Sequence, residues 1–192
     1  KLGFPSEQLF TLLTTHGALK ATNKHVIHTG FGHSDIGYSY HSNTSSSGRN
    51  SEDNHSTGTP PWLNAISDKF SPLHWQTSMQ IKQWWKLAIN CVINPLTAIY
   101  NIPNGDITLA KYRAEITDIA NEVSNVALSQ GITLPSKKII ETSLNVAKNT
   151  ARNTSSMRAD LLHSKPTEIN YINGYICKIA KQMNIQVPVN QT

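Results

Sequence analysis

Cysteine is scarce in this sequence. Its 192 residues hold two, Cys91 and Cys177, set far apart inside apolar patterns. That usage argues against a disulfide framework and for a reducing compartment, so a cytoplasmic location is expected. Long apolar runs are lacking as well. No stretch approaches the ~20 consecutive apolar residues that cross a bilayer, and no membrane partner is expected. Charge is thin, at 15% of residues against 38% hydrophobic, which fits neither a coiled coil nor an acidic disordered chain. The first residues, Lys1-Leu2-Gly3-Phe4-Pro5, include no initiator methionine and lack the layout of a signal peptide. The chain reads as starting inside something longer. The G-x-G-x-x-G dinucleotide fingerprint is missing too. Gly30-x-Gly32 with Gly37 has the wrong spacing, and no convincing helix follows it. The eight histidines form no metal-ligand spacing, so no metal site is expected.

What charge there is leans one way. Lys and Arg number 17 against 12 Asp and Glu, for a formal +5 and a pI of about 9.2. Residues 1–75 balance five basic against five acidic side chains, so the whole surplus lies in residues 76–192. A basic half suits nucleic acid, but it suits an anionic small molecule equally. The lysines and arginines are scattered rather than clustered, which reads as solvated surface, and no nucleic-acid partner is expected. The competing reading is a non-catalytic basic helical module that binds nucleic acid or a protein.

The pattern changes along the chain. Residues 1–38 carry β-like pieces at His25-Val26-Ile27-His28 and Asp35-Ile36 around a glycine-rich turn. From His41 to Thr59 there is no apolar residue, so that stretch cannot offset its ordering entropy and reads as a mobile loop, taken as 39–61. A short helical piece fits Leu63–Phe70. From about His74 the signal is helical. Gln76–Ile93, Leu109–Gln130 and Ser136–Arg152 each repeat apolar residues at steps of three and four. Pro95 should bend or end the first of these, and Gly131 should cap the second. Thr167 reads as the N-cap of a fourth helix with Ile169, Ile172, Ile176, Ile179 and Met183 on one face. The expected fold is mainly α: a strand-containing remnant over 1–73, then an all-helical domain over 74–192.

Three constellations look chemical. Lys86, Asn90 and Asn94 recur every fourth residue and drift only about 40° per step, so they share one helix face. They are either the solvent face of an amphipathic helix or a functional stripe on an otherwise apolar one. Asn104-Gly105 in the following turn could reach the same cleft. Asn153-Thr154-Ser155-Ser156 places hydroxyls before a helical turn, as a cap or as an anion-binding end. Glu168 falls in the first turn after Thr167, where the helix dipole favours a carboxylate.

Taken together, Trp85-Lys86-Leu87-Ala88-Ile89-Asn90-Cys91-Val92-Ile93-Asn94-Pro95-Leu96-Thr97-Ala98 and Asn104-Gly105 resemble the start of the C-terminal domain of the ketopantoate reductase family. Ser155-Ser156-Met157 with Asp160, and then Thr167-Glu168-Ile169-Asn170-Tyr171-Ile172-Asn173-Gly174, match that family's later signatures in order. Thr14-Thr15-His16-Gly17-Ala18 and His28–Gly32 with Gly37 resemble the end of its nucleotide-binding domain. The resemblance implies the last strands of a truncated α/β, Rossmann-like domain ahead of the helical one. It also implies NADPH-dependent reduction of 2-dehydropantoate, a small 2-keto acid, to pantoate on the route to pantothenate and coenzyme A. Carried over by position, Lys86 is the general acid, and Asn90, Asn94, Asn104 and Ser156 are substrate-binding. Glu168 is a contact for substrate or cofactor, taken as cofactor-binding, and Ala18 matches a backbone contact to the cofactor. The resemblance leaves room for a homodimer of the full-length enzyme. Because the glycine-rich fingerprint is missing, this chain is expected to be inactive and unable to bind cofactor by itself.

Overall fold

A computed structural model describes residues 8–39, 59–70 and 72–191. The polar stretch read as a loop lies almost entirely outside the described residues. The chain divides into two compact units, residues 1–83 and 84–192.

The first unit is built from short strands. β1 (Phe10–Thr14), β4 (Ser34–Tyr38) and β5 (Leu73–Trp75) form one sheet in the order β1-β4-β5. β1 runs antiparallel to β4, with Leu12 opposite Ile36, and β4 runs parallel to β5, with Asp35 opposite His74. β2 (Gly17–Thr22) and β3 (His25–Gly30) make a separate antiparallel hairpin. Residues 34–37 of β4 are all buried, as befits the central strand. An aromatic cluster packs beside the sheet: Phe10 meets Trp62 at 4.8 Å between ring centroids and Tyr38 at 5.0 Å, and Tyr38 meets Trp75 at 5.4 Å. Trp62 immediately precedes the short helix α1 (Leu63–Ser67). Gly37 is required for packing, because a Cβ there would run into the Gln76 carbonyl oxygen. The hairpin is far less covered, with Val26, Ile27 and Phe31 exposed, Phe31 to 94%.

The second unit is helical. α2 (Met79–Ile99), which begins in the first unit, is followed by α3 (Arg113–Ser129), α4 (Ser136–Asn149), α5 (Ser156–Leu162) and α6 (Asn173–Gln182). The three-four spacing of α3 buries Ile116, Ile119, Ala120, Val123, Val126 and Ala127, and α4 adds Ile139, Leu144 and Ala147 to the same core. Gly131 adopts φ +74°, the left-handed conformation expected just beyond a helix C-terminus. The longest helix, α2, contributes Trp84, Ala88, Cys91, Val92, Ile93 and Leu96. Burial pushes the Cys91 thiol far above its usual range, as it does less strongly for half-buried Cys177, so neither is a ready nucleophile. Among the described residues no helix is long and apolar enough to cross a membrane.

Three local expectations are corrected. Residues 73–75 form strand β5 rather than the start of a helix, since their hydrogen bonds go to β4. The segment after Thr167 is not one helix. A 3-10 turn (Ile169–Tyr171) is separated from α6 by Ile172, whose φ −104° and ψ −94° interrupt the helical path. Glu168 therefore precedes a three-residue turn and not a helix with a useful dipole.

The third correction concerns one of the two outcomes expected at Pro95: it does not end the first helix, since α2 continues to Ile99. Proline cannot donate to the carbonyl four residues back, that of Cys91. Asn173 Nδ2 donates to that carbonyl instead, at 3.1 Å, and to Asn190 Oδ1 at 2.9 Å. Asn190 Nδ2 in turn donates to Glu122 Oε2 at 2.7 Å, and Glu122 also accepts the Val189 and Asn190 backbone N–H groups. The freed carbonyl is thus wired to the C-terminal segment. Asn173→Ala removes this donor and leaves two buried acceptors unmatched, for an expected loss of about 2–4 kcal/mol. Urea unfolding checks it, and a midpoint unchanged from the parent chain contradicts the assignment.

Candidate active site in the helical unit

The sequence-predicted residues of the second unit fall on elements that are tied together by short hydrogen bonds. Lys86, Asn90 and Asn94 run along one face of α2 from surface to interior. Lys86 is exposed, Asn90 half-buried and Asn94 only 6% exposed. The solvent-face explanation of this stripe fails at its inner end. An asparagine that deep costs about 1–3 kcal/mol unless its polar atoms are used.

One turn beyond Asn94, Thr97 closes the gap to α5. Its hydroxyl donates to the Ile93 carbonyl at 2.8 Å and lies 2.6 Å from Ser155 Oγ. Ser155 is the N-cap of α5 and accepts the Arg158 N–H at 3.2 Å. Ser156 follows as the first residue of α5, with its side chain exposed. The cap holds the loop rigid and leaves the neighbouring hydroxyl available. Sequence reasoning singled out Ser156 but not the Thr97–Ser155 pair that positions it. Two hydroxyls 58 residues apart carry no local signal.

Asn104 opens a 3-10 turn (Asn104–Thr108) packed on the end of α4. Its Nδ2 donates to Thr150 Oγ1 at 3.0 Å, and its backbone N–H donates to the Asn153 carbonyl at 3.1 Å. Its Oδ1 is buried and has no hydrogen-bond partner among the described residues. Gly105 explains how the turn comes so close. Its N–H donates to the Ala151 carbonyl at 3.1 Å, and a Cβ on residue 105 would lie 2.7 Å from Ala151 Cβ. A further tie joins the end of α2 to α5: Arg158 Nε donates to Asn101 Oδ1 at 3.0 Å, with Asn101 at φ +51°.

Glu168 is exposed, and its backbone carbonyl accepts from Tyr171 and Ile172. Ala18 lies in the first unit, exposed on β2 beside a register shift. A cavity of about 580 Å³ also opens in the helical unit, lined by Pro95, Met157, Thr167, Asn170, Asn173 and Cys177 among others. None of the predicted site residues lines it, so it is distinct from the Lys86–Asn94 face.

The nucleotide-binding half of the expectation meets a clear limit. Dinucleotides are held where a strand ends in a glycine-rich turn that opens a helix, whose N-terminus faces the pyrophosphate. Among the described residues the Gly30–Gly32 segment leads from β3 straight into β4, with no helix between. Among the described residues no such turn-and-helix cradle for a nicotinamide cofactor is formed.

An all-helical domain following the closing strands of an α/β domain is the layout of two-domain nucleotide-dependent reductases. The comparisons make this specific. The family model "Ketopantoate reductase PanE/ApbA C terminal" matches residues 78–192. A 2-dehydropantoate 2-reductase from Vibrio cholerae is 36% identical over 181 residues, covering 92% of this chain and 55% of that protein. One from Shigella flexneri is 40% identical over 116 residues, covering 60% of this chain and 38% of that protein. Among solved structures, a ketopantoate reductase from Ralstonia eutropha has TM-score 0.75 at 24% identity, covering 95% of this chain and 55% of that one. D-mandelate dehydrogenase with NADH and anilino(oxo)acetate has TM-score 0.79 at 19% identity, covering 97% and 58%; at such identities the likeness is one of fold. The chain belongs to the ketopantoate reductase family, and it spans about half the length of the curated relatives it matches.

Proposed function

We propose that residues 74–192 form the substrate-binding and catalytic side of a cytoplasmic 2-dehydropantoate 2-reductase, and that 1–73 close its NADP-binding domain. The observation that carries this reading is the family match over 78–192, a span that contains Lys86, Asn90, Asn94, Asn104, Ser156 and Glu168. NADPH is the reductant the family resemblance implies. When bound it would supply the hydride, and the resemblance places Ala18 and Glu168 toward it.

The chain's own residues act on the keto acid. Reduction of a ketone builds negative charge on its oxygen. The Lys86 ammonium stabilises that charge and then gives up a proton to form the hydroxyl. Asn90 and Asn94, progressively deeper on the same face, hold the substrate's oxygen atoms against the lysine. The Ser156 hydroxyl donates to the carboxylate. The unmatched Asn104 Oδ1 is an acceptor waiting for a donor, and the terminal hydroxyl of 2-dehydropantoate is such a group. A simple 2-keto acid without a hydroxyl leaves that carbonyl buried and unpaired, which is how a site of this kind discriminates.

Asn104→Ala in a full-length version is therefore expected to raise KM for 2-dehydropantoate about tenfold or more. The same substitution should leave KM for a keto acid lacking the hydroxyl nearly unchanged. Steady-state kinetics with both substrates tests this, and equal effects on the two remove Asn104 from the hydroxyl contact.

A further inference from the structure

We propose that His33, Asp35 and His74 form a binding site for one divalent transition-metal ion, with Zn²⁺ the ion whose coordination preferences they fit. The site is made by sheet register. Asp35 on β4 stands opposite His74 on the parallel strand β5, so their side chains leave the same face. His33 precedes Asp35 by two residues and points the same way. The ligand atoms of all three lie within 4.8 Å of one another. His33 Nε2 is 3.3 Å from Asp35 Oδ2, and His74 Nδ1 is 3.9 Å from Asp35 Oδ1. Ligands about 2.0–2.2 Å from a shared tetrahedral ion sit roughly that far apart, and two imidazoles with one carboxylate leave the fourth position to water.

The surroundings support a built site. Asp35 is buried, and Gln76 Nε2 donates to its Oδ1. The second ring nitrogen of His33, Nδ1, lies 3.3 Å from Thr15 Oγ1, the outer contact that fixes a ligating imidazole. One group opposes a cation: Lys82 Nζ lies 3.5 Å from Asp35 Oδ2. The Lys82 side chain is 40% exposed, so it can rotate into water as the ion arrives. Metal and ammonium thus compete for one carboxylate oxygen, and the ion, once bound, ties β4 to β5. Spacing along the chain could not reveal the site, because His33 and His74 meet only through strand pairing.

The test uses the 192-residue chain, stripped with chelator and titrated with Zn²⁺ by calorimetry and with Co²⁺ by visible absorption. One ion per chain is expected, with the intense bands of a four-coordinate Co²⁺ site. His74→Ala, which truncates an exposed side chain, should weaken binding about a hundredfold or more. Lys82→Met should tighten it about tenfold by removing the competing charge. A His16→Ala/His28→Ala variant, which removes another close imidazole pair, should bind as the parent does. No saturable binding below millimolar metal overturns the proposal. So does binding indifferent to His74→Ala, or weakened by Lys82→Met.

Discussion

If the proposed function holds, Lys86→Ala in a full-length version of the protein is expected to lower kcat by about 10²–10⁴-fold, the usual worth of a positioned proton donor. KM for the keto acid should change no more than a few-fold. The asymmetry follows from where the charge is. The ground-state ketone carries little negative charge for an ammonium to meet, whereas the forming alkoxide carries a full one, so most of the interaction exists only in the transition state. The placement fits this role. Lys86 is exposed at one end of the α2 stripe, while Asn94 is buried at the other. Both parameters must be measured. A near-normal kcat removes Lys86 from catalysis, and a large rise in KM alone makes it a binding residue.

The second large effect is a loss. The 192-residue chain is expected not to bind NADPH and not to reduce 2-dehydropantoate. Cofactor affinity in α/β nucleotide-binding domains rests on backbone N–H groups at a glycine-rich turn, backed by a helix N-terminus. β3 passes into β4 without such a helix, and the contacts the family resemblance implies at Ala18 and Glu168 are too few to replace it. Calorimetric titration with NADPH is the direct measurement, and binding at micromolar affinity contradicts the account.

How much of this was legible in advance depends on the range of the interactions involved. The helices of the second unit are encoded locally. Ile116, Ile119, Val123 and Val126 mark α3 at steps of three and four, and Gly131 stops it where its positive φ is needed. The Lys86/Asn90/Asn94 stripe was visible for the same reason, but its descent into the interior was not, because burial depends on neighbours far along the chain. Pro95 shows the limit most clearly. The sequence says that the Cys91 carbonyl loses its partner, and only the fold says that Asn173 replaces it from 82 residues away. The three residues of β5 are too few to show a period, and Ile172 breaks an apolar pattern that otherwise reads as one continuous helix. The unmatched Asn104 carbonyl and the His33–Asp35–His74 cluster are likewise products of tertiary placement.

The proposed function gives this chain the substrate side of a 2-dehydropantoate reductase. Its most direct test is NADPH oxidation by a full-length version, with 2-dehydropantoate compared against pyruvate and an aryl 2-keto acid. The account predicts kcat/KM for 2-dehydropantoate higher by about two orders of magnitude or more, since losing a buried hydroxyl contact commonly costs that much or more. Equal turnover of all three, or a preference for the aryl acid, would contradict it.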